Sequence, residues 1–340
     1  MYFIKHRPIS ANDLVYNKEI YNMIRHVGLT NNLLLYGYPG SGKNTICKIF
    51  LRELFGDGVL NMTEGVYNID KKKHIKFYHS PYHFEFDICN YLNKDKLFVS
   101  ELITSLSSTK NILTNDFKVL VIKNADKLIY NTQAMLRRII EKSKSKFIFI
   151  TSRYTSIIEP LRSRFMCVRI PAPCEIHINT VLTNIAAKEG IKLSKRNLTT
   201  IKKKSRNMKE LITLLEMCYI NGKFKNVNFD YVNKNKKLIK ILKKLNITNY
   251  HKFKEHIYDM YSNGCSSGID FIEYIKTILN EVLPLFDGDN NNELKIKLVN
   301  FASICDIDVQ YGNKPPIHFE KFLINVYSLI LDIKEIKEIK

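Results

Sequence analysis

The sequence predicts an α/β domain with a parallel sheet, followed by two all-α parts. Three observations carry that prediction. The glycine-rich stretch Gly37-Tyr38-Pro39-Gly40-Ser41-Gly42-Lys43-Asn44-Thr45 lies between the apolar run Leu33-Leu34-Leu35-Tyr36 and a helical pattern from Thr45 to Leu54. Strand, glycine loop and helix, in that order, form the context a phosphate-binding loop requires. Further short apolar runs alternate with helical patterns as far as Ile170, which argues for parallel strands covered by helices. After Pro171-Ala172-Pro173 no strand-like apolar run follows.

Taken in order, Ile46, Ile49, Phe50 and Leu54 recur at helical spacing, and Gly56 and Gly58 end that helix. Val59 to Ile69 and His74 to Phe86 read as paired strands with Lys71-Lys72-Lys73 at the turn. Lys96 to Leu106 reads as a helix and Ser107 to Asp116 as a polar loop. Phe117 to Ile122 is a buried strand. Thr132 to Lys142 is a helix with Thr132 as its cap. Phe147 to Thr151 and Cys167 to Ile170 are two more strands. Residues 175–220 read as helices split at Gly190 and near Asn207. The Asn/Lys-rich residues 221–236 read as a linker. Residues 237–332 hold helical periods broken at Gly264, Gly268, Asp287-Gly288-Asp289 and Gly312 to Pro316.

Composition narrows the function classes. A hydrophobic content of 45% suffices for a packed core, and no apolar run is long enough to span a bilayer. The N-terminal Met1 to Pro8 has no signal-peptide core. The seven scattered cysteines form no C-x-x-C pair and read as free thiols in a reducing compartment. The net charge of +20 permits binding to nucleic acid or an acidic membrane. It does not establish either, because runs such as Lys202-Lys203-Lys204 are equally a solvated face and AT-rich coding enriches Lys, Asn and Ile.

The glycine loop sets the chemistry. Glycines let backbone N–H groups approach a phosphate, the helix N-terminus adds its positive end, and Lys43 adds a point charge. The residue after that lysine is ordinarily Ser or Thr, whose hydroxyl ligates Mg²⁺. Here it is Asn44, with Thr45 directed elsewhere on the helix. A hydrolysing P-loop enzyme also needs an acid at the end of a second strand to hold Mg²⁺. The strand ending at Ile122 is followed by Lys123-Asn124-Ala125-Asp126. Lys123 repels magnesium and Asn124 cannot act as a base. Asp126 is read as capping the next helix or making an ion pair. The alternative strand, Phe147 to Thr151, ends in Ser152-Arg153 and offers no acid either. Arg162-Ser163-Arg164 follows later, and an arginine at a domain edge can stabilise phosphoryl transfer in a neighbour's site.

These residues resemble a family. The order of Lys5-His6-Arg7-Pro8, the glycine loop, the degenerate acidic box, Gln133-x-x-Leu136-Arg137-Arg138-x-x-Glu141-Lys142, Ser163-Arg164 and Pro171-Ala172-Pro173 is similar to a small subunit of replication factor C. That is the AAA+ clamp loader of eukaryotic DNA replication. Leu51-Arg52-Glu53-Leu54-Phe55-Gly56-Asp57-Gly58-Val59, Ser80-Pro81-Tyr82-His83-Phe84-Glu85, and Gly312-Asn313-Lys314 with His318-Phe319-Glu320 resemble the branch at one end of the pentamer, which lacks ATPase residues.

The resemblance implies an AAA+ P-loop domain over 1–170, a helical lid over 171–226 and a helical collar for oligomerisation over 227–340. It implies that Arg7 and Pro8 lie against the adenine and that Gly37 to Thr45 bind the phosphates of ATP or ADP. Mg²⁺ in this subunit is doubtful. Sensor 1 falls at Ser152 and sensor 2 at Asn207-Met208-Lys209, where Lys209 replaces an arginine and loses its bidentate fork. Arg164 is the arginine lent in trans. The implied partners are the other subunits of a heteropentamer, a sliding clamp and primer-template DNA, with no membrane, in the nucleus. Arg137 and Arg138 face DNA, a neighbour, or Glu141 through helical pairing. The leading reading is a non-hydrolysing subunit. The alternatives are a competent ATPase subunit and a scaffold with an empty loop. A free-standing P-loop GTPase or kinase is disfavoured, since Asn124-Ala125-Asp126-Lys127 is not the guanine-reading Asn-Lys-x-Asp and no Asp-x-x-Gly follows the loop suitably.

Overall fold

The computed structural model of the chain describes residues 1–70, 73–90, 103–108, 118–202, 205, 207–220, 250–262, 274–276, 278–280, 282–286, 292–311 and 315–338. The chain divides into two compact units, 1–227 and 228–340.

The first unit is built on seven strands: β1 (Asn32–Tyr36), β2 (Thr63–Asp70), β3 (Lys73–His79), β4 (His83–Asp87), β5 (Val119–Lys123), β6 (Lys146–Thr151) and β7 (Phe165–Arg169). Their order in the sheet is β2-β3-β4-β5-β6-β1-β7. The five strands β4 to β7 with β1 are parallel, and β2 and β3 add an antiparallel hairpin at one edge. The sheet is therefore mixed. The central strands β1, β5 and β6 are apolar along their interiors because both faces are covered. Leu34, Leu120, Ile122, Phe147 and Phe149 point into one core, and Leu33, Leu35, Val119, Val121, Ile148 and Ile150 into the other.

The helices of this unit are α1 (Tyr2–Lys5), α2 (Lys18–Val27), α3 (Lys43–Phe55), α4 (Thr104–Ser108), α5 (Tyr130–Lys142), α6 (Glu159–Arg162), α7 (Glu175–Lys188), α8 (Lys195–Lys202) and α9 (Met208–Ile220). Ile46, Phe50 and Leu51 of α3, with Tyr21 and Ile24 of α2, bury one face of the sheet. Leu136 and Ile140 of α5, with Leu161 of α6, bury the other. Helix α9 packs on α7 and α8, and α1 lies against α9. The second unit holds α10 (Tyr250–Ser262), α11 (Asn292–Tyr311) and α12 (Pro315–Glu338) around a core that includes Phe253, Ile257, Phe319 and Phe322. Among the described residues, no helix is long and apolar enough to cross a membrane.

Several expectations need correction. His74 to Phe86 is two strands. Ser80 Oγ accepts the backbone N–H of Tyr82 (3.3 Å) and of His83 (3.1 Å), turning the chain at Pro81 so that β4 pairs in parallel with β5. Helix α3 begins at Lys43, two residues before the expected Thr45, with Gly42 as its cap. Helix α5 begins at Tyr130 with an extended Ile129 before it, and Thr132 is buried inside its first turn instead of capping it. Helix α2 was not foreseen. Helical residues Thr104–Ser108 run into the segment expected to be a polar loop. The rest of that loop, most of the helix expected from Lys96, the 221–236 linker, and the breaks at Gly264, Gly268, 287–289 and Gly312 lie outside the described residues. Pro315 and Pro316 open α12, where a missing N–H costs nothing.

Candidate functional site

The C-terminal ends of β1, β5 and β6 meet at one edge of the parallel sheet, where ligands bind in such folds. The glycine loop leaves β1 there. A Cβ at Gly37 would lie 2.1 Å from the carbonyl oxygen of Ile170, so the strand-loop junction fits only glycine. Gly40 has φ +77°, and a Cβ there would lie 1.8 Å from Asn207 Oδ1 and 2.9 Å from the Met208 nitrogen. The loop thus touches the start of α9 directly. Gly42, at φ +94°, caps α3, and its carbonyl accepts the N–H groups of Thr45 and Ile46. Asn17 Nδ2 donates to the carbonyls of Ser41 (3.4 Å) and Pro171 (3.3 Å), tying the loop to the end of the α/β part. The Ser41 side chain is fully buried, and its hydroxyl has no partner among the described residues.

Lys43 is buried, and its ammonium donates to the carbonyls of Gly37 and Tyr38, both at 2.8 Å. Burial lowers its pKa to about 8, with the nearby Asp126 carboxylate opposing. An anion beside this ammonium would relieve the burial penalty.

A cavity of about 610 Å³ opens beside the loop. Gly40, Ser41, Gly42, Lys43, Asn44 and Thr45 form one wall, Arg7 and Pro8 another, and Val181, Ile185, Met208 and Lys209 a third. Thr45, expected to point elsewhere, lines this cavity, as does the exposed Asn44. Gly37 and Tyr38 contribute through their bonds to Lys43, and Pro39 lies exposed at the loop's turn. The N-terminal segment is held by α7 and α9. Glu189 pairs with Lys5 (2.7 Å) and His6 (2.5 Å), Glu216 accepts the Tyr2 N–H (3.0 Å), and Lys209 Nζ stands 4.8 Å over the Phe3 ring. Apolar walls for a planar base and backbone N–H groups for phosphates suit a nucleotide. Sequence reasoning missed these anchors, because Glu189 and Glu216 have no local motif.

At the end of β5, Lys123 and Asn124 are each bonded to a carboxylate of β4. The register pairs Asp87 of β4 with Lys123 of β5. Lys123 Nζ donates to Glu85 Oε2 at 2.5 Å, and Asn124 Nδ2 donates to Asp87 Oδ1 at 2.7 Å. Burial opposes ionisation of Glu85, but the His83 imidazole 3.7 Å away and the Lys123 charge outweigh it and hold the carboxyl at about 2. Asn124 sits in the left-handed region (φ 55°) that asparagine tolerates. Among the described residues Asp126 neither caps a helix nor makes an ion pair. It accepts Thr151 Oγ1–H (3.0 Å) and the Ser152 N–H (3.2 Å), fixing the end of β6. Magnesium needs free oxygen donors in a tight octahedron. Here a lysine and an asparagine end the strand, and Glu85, Asp87 and Asp126 nearby are engaged in hydrogen bonds. Among the described residues no group of three or more His, Cys, Asp or Glu could hold a metal. The residues do not fit magnesium.

Arg164 lies apart from this cavity. Its Nε donates to Glu141 Oε1 (2.7 Å), and its other guanidinium nitrogens reach Glu141, the Pro160 carbonyl and Ser163 Oγ. Arg137 approaches Glu141 at 3.8 Å, the helical pairing anticipated, while Arg138 is exposed.

Residues 33–171 match the ATPase family associated with various cellular activities (AAA). Along nearly its whole length the chain is similar to replication factor C subunit 5 of Saccharomyces cerevisiae, at 27% identity over 95% of this chain and 97% of that protein. It is also similar to replication factor C subunit 3 of Homo sapiens, at 28% identity over 96% of this chain and 94% of that protein. Among solved structures it is similar to a RuvB variant of Thermotoga maritima, at 16% identity over 69% of this chain and 79% of that chain, with a TM-score of 0.47.

Proposed function

We propose that this chain, an AAA+ relative of the replication factor C small subunits, is the non-hydrolysing subunit of a clamp loader that places a sliding clamp on primed DNA in an ATP-dependent way. It binds ATP or ADP in the loop Gly37 to Thr45, with Arg7 and Pro8 beside the base and Lys209 at the lid. It leaves hydrolysis to its neighbours and lends one of them Arg164. In this reading residues 1–170 are the nucleotide-binding domain, 171–226 the lid and 227–340 the collar that assembles with the other subunits, in the nucleus.

The observation that carries the reading is the pairing at the end of β5. Lys123 and Asn124 are committed to Glu85 and Asp87, so neither a metal ligand nor a general base stands where P-loop hydrolysis needs one. Ser152 is held through its backbone by Asp126, and Lys209 cannot form arginine's planar fork. Arg164 sits at a surface, beside Glu141, and is not among the residues that line this chain's own cavity.

The test is recovery of the tagged chain from its source with identification of its partners, alongside turnover by the isolated chain. The expected result is co-purification with other clamp-loader subunits and hydrolysis at background. Steady turnover in protein free of other subunits, abolished by Lys43→Ala, contradicts the proposal.

A further inference from the structure

We infer that this chain takes its nucleotide as the free polyphosphate, without a divalent cation, because its own lysines supply the positive charge there. The inference rests on the reading that the glycine loop binds nucleotide, and goes beyond it by naming the ionic form bound.

The donor set argues first. Of the positions from which a P-loop protein holds Mg²⁺, one is the exposed amide Asn44 and the other is the ammonium of Lys123, fixed at 2.5 Å from Glu85. A divalent ion at that strand end would have to displace the ammonium from a buried carboxylate, and breaking such a pair is costly.

The charge distribution argues second. Lys48 lies on α3 one turn beyond Asn44 and is partly buried. Burial lowers its pKa, Glu85 opposes, and Lys123 and Arg7 push it further down. Lys48 therefore feels both other cations, and the cavity beside the loop is itself lined by Arg7, Lys43, Lys188 and Lys209. Against them stand Glu85, already paired, Asp126, already accepting two hydrogen bonds, and Asp13 at the cavity wall, which accepts the N–H and hydroxyl of Ser10. Adding a divalent cation to this cluster adds repulsion, whereas the more highly charged free nucleotide reduces it.

Calorimetric titration of the isolated chain with ADP tests this, once in excess magnesium and once in EDTA. The expected dissociation constant in EDTA is equal to or tighter than that in magnesium, or weaker by no more than about threefold. Binding weakened more than about tenfold by EDTA overturns the inference while leaving the nucleotide reading intact. Absence of ADP binding in both solutions overturns both. Asn44→Thr, at an exposed position, restores the usual hydroxyl and should remain indifferent to EDTA because Lys123 is still present. If that variant becomes magnesium-dependent, Lys123 does not exclude the metal and the inference fails. Mn²⁺ with ADP and the native chain should give only the paramagnetic resonance spectrum seen without protein. A protein-bound manganese signal overturns the inference independently of affinity.

Discussion

Replacing Glu85 with glutamine removes the charge that Lys123 answers and keeps the shape of the side chain. The Glu85 side chain is 6% exposed and that of Lys123 is 21% exposed, so solvent cannot substitute fully for the lost partner. The Glu85 carboxyl sits at about 2 instead of its ordinary 4.5. At roughly 1.4 kcal/mol per tenfold change in acidity, that gap is worth about 3 kcal/mol at neutral pH. Water reaching Lys123 brings the expected loss nearer to about 2 kcal/mol. The sign follows from a depressed carboxylate. The stabilisation is complete above pH 4.5 and disappears as the pH falls toward about 2. The difference between native chain and Glu85→Gln should thus shrink by about half near pH 3. Urea unfolding followed by circular dichroism reads the magnitude, and hydrogen exchange of the β4 and β5 amides locates it. Lys123→Met in the Glu85→Gln background should recover part of the loss, since a matched apolar or neutral pair escapes the cost of an unpaired buried charge. A Glu85→Gln loss below about 0.5 kcal/mol at neutral pH, or one that does not change with acidity, refutes the reasoning.

Three further outcomes follow from the same structure. Lys43, lowered to about 8, must be protonated to hold a phosphate, so ADP affinity should be flat below that pH and fall above it, while the folded chain without ADP gains stability between about 8 and the ordinary 10.5; titrations across this range check both, and Lys43→Arg should abolish the fall. Gly40→Ala places a methyl 1.8 Å from Asn207 Oδ1 at φ +77°, which should cost about 1–3 kcal/mol and speed exchange in Met208–Ile220; unchanged exchange there refutes the loop–lid contact. DNA binding should belong to the assembly and weaken with salt at a log–log slope of about −0.9 per neutralised phosphate; a tight, salt-insensitive complex with the lone chain contradicts it.

The central strands were legible because their two faces are both buried, so Leu33 to Leu35, Val119 to Ile122 and Phe147 to Ile150 stand out as unbroken apolar runs. The division of His74 to Phe86 was not, because the turn depends on one serine hydroxyl. Helix α2 escaped because only Tyr21 and Ile24 of its ten residues are buried. At the site, the glycine loop and the Lys123-Asn124 pair that ends β5 are local features and could be read directly. Their consequences are not local. Glu85 and Asp87 meet Lys123 and Asn124 only through the β4–β5 register, and Asn207 meets Gly40 only once α9 is packed. The Arg164–Glu141 pair likewise joins α5 to the turn before β7. Serial reading of a chain sees none of these until the sheet order is known.

The most direct measurement is DNA- and clamp-stimulated ATP turnover by reconstituted complexes carrying either Arg164→Ala or Lys43→Ala in this chain. An arginine supplied in trans is worth roughly 10³–10⁵ in rate in GTPase systems, and a loader with other active sites should show a smaller total effect. We expect Arg164→Ala to leave this chain's nucleotide binding and the assembly intact while lowering turnover and slowing clamp loading. We expect Lys43→Ala to lower turnover less, since on the proposed reading it alters a site that leaves hydrolysis to its neighbours. If Lys43→Ala abolished turnover while Arg164→Ala left it unchanged, the chain would be a hydrolysing subunit and the assignment of roles would be reversed.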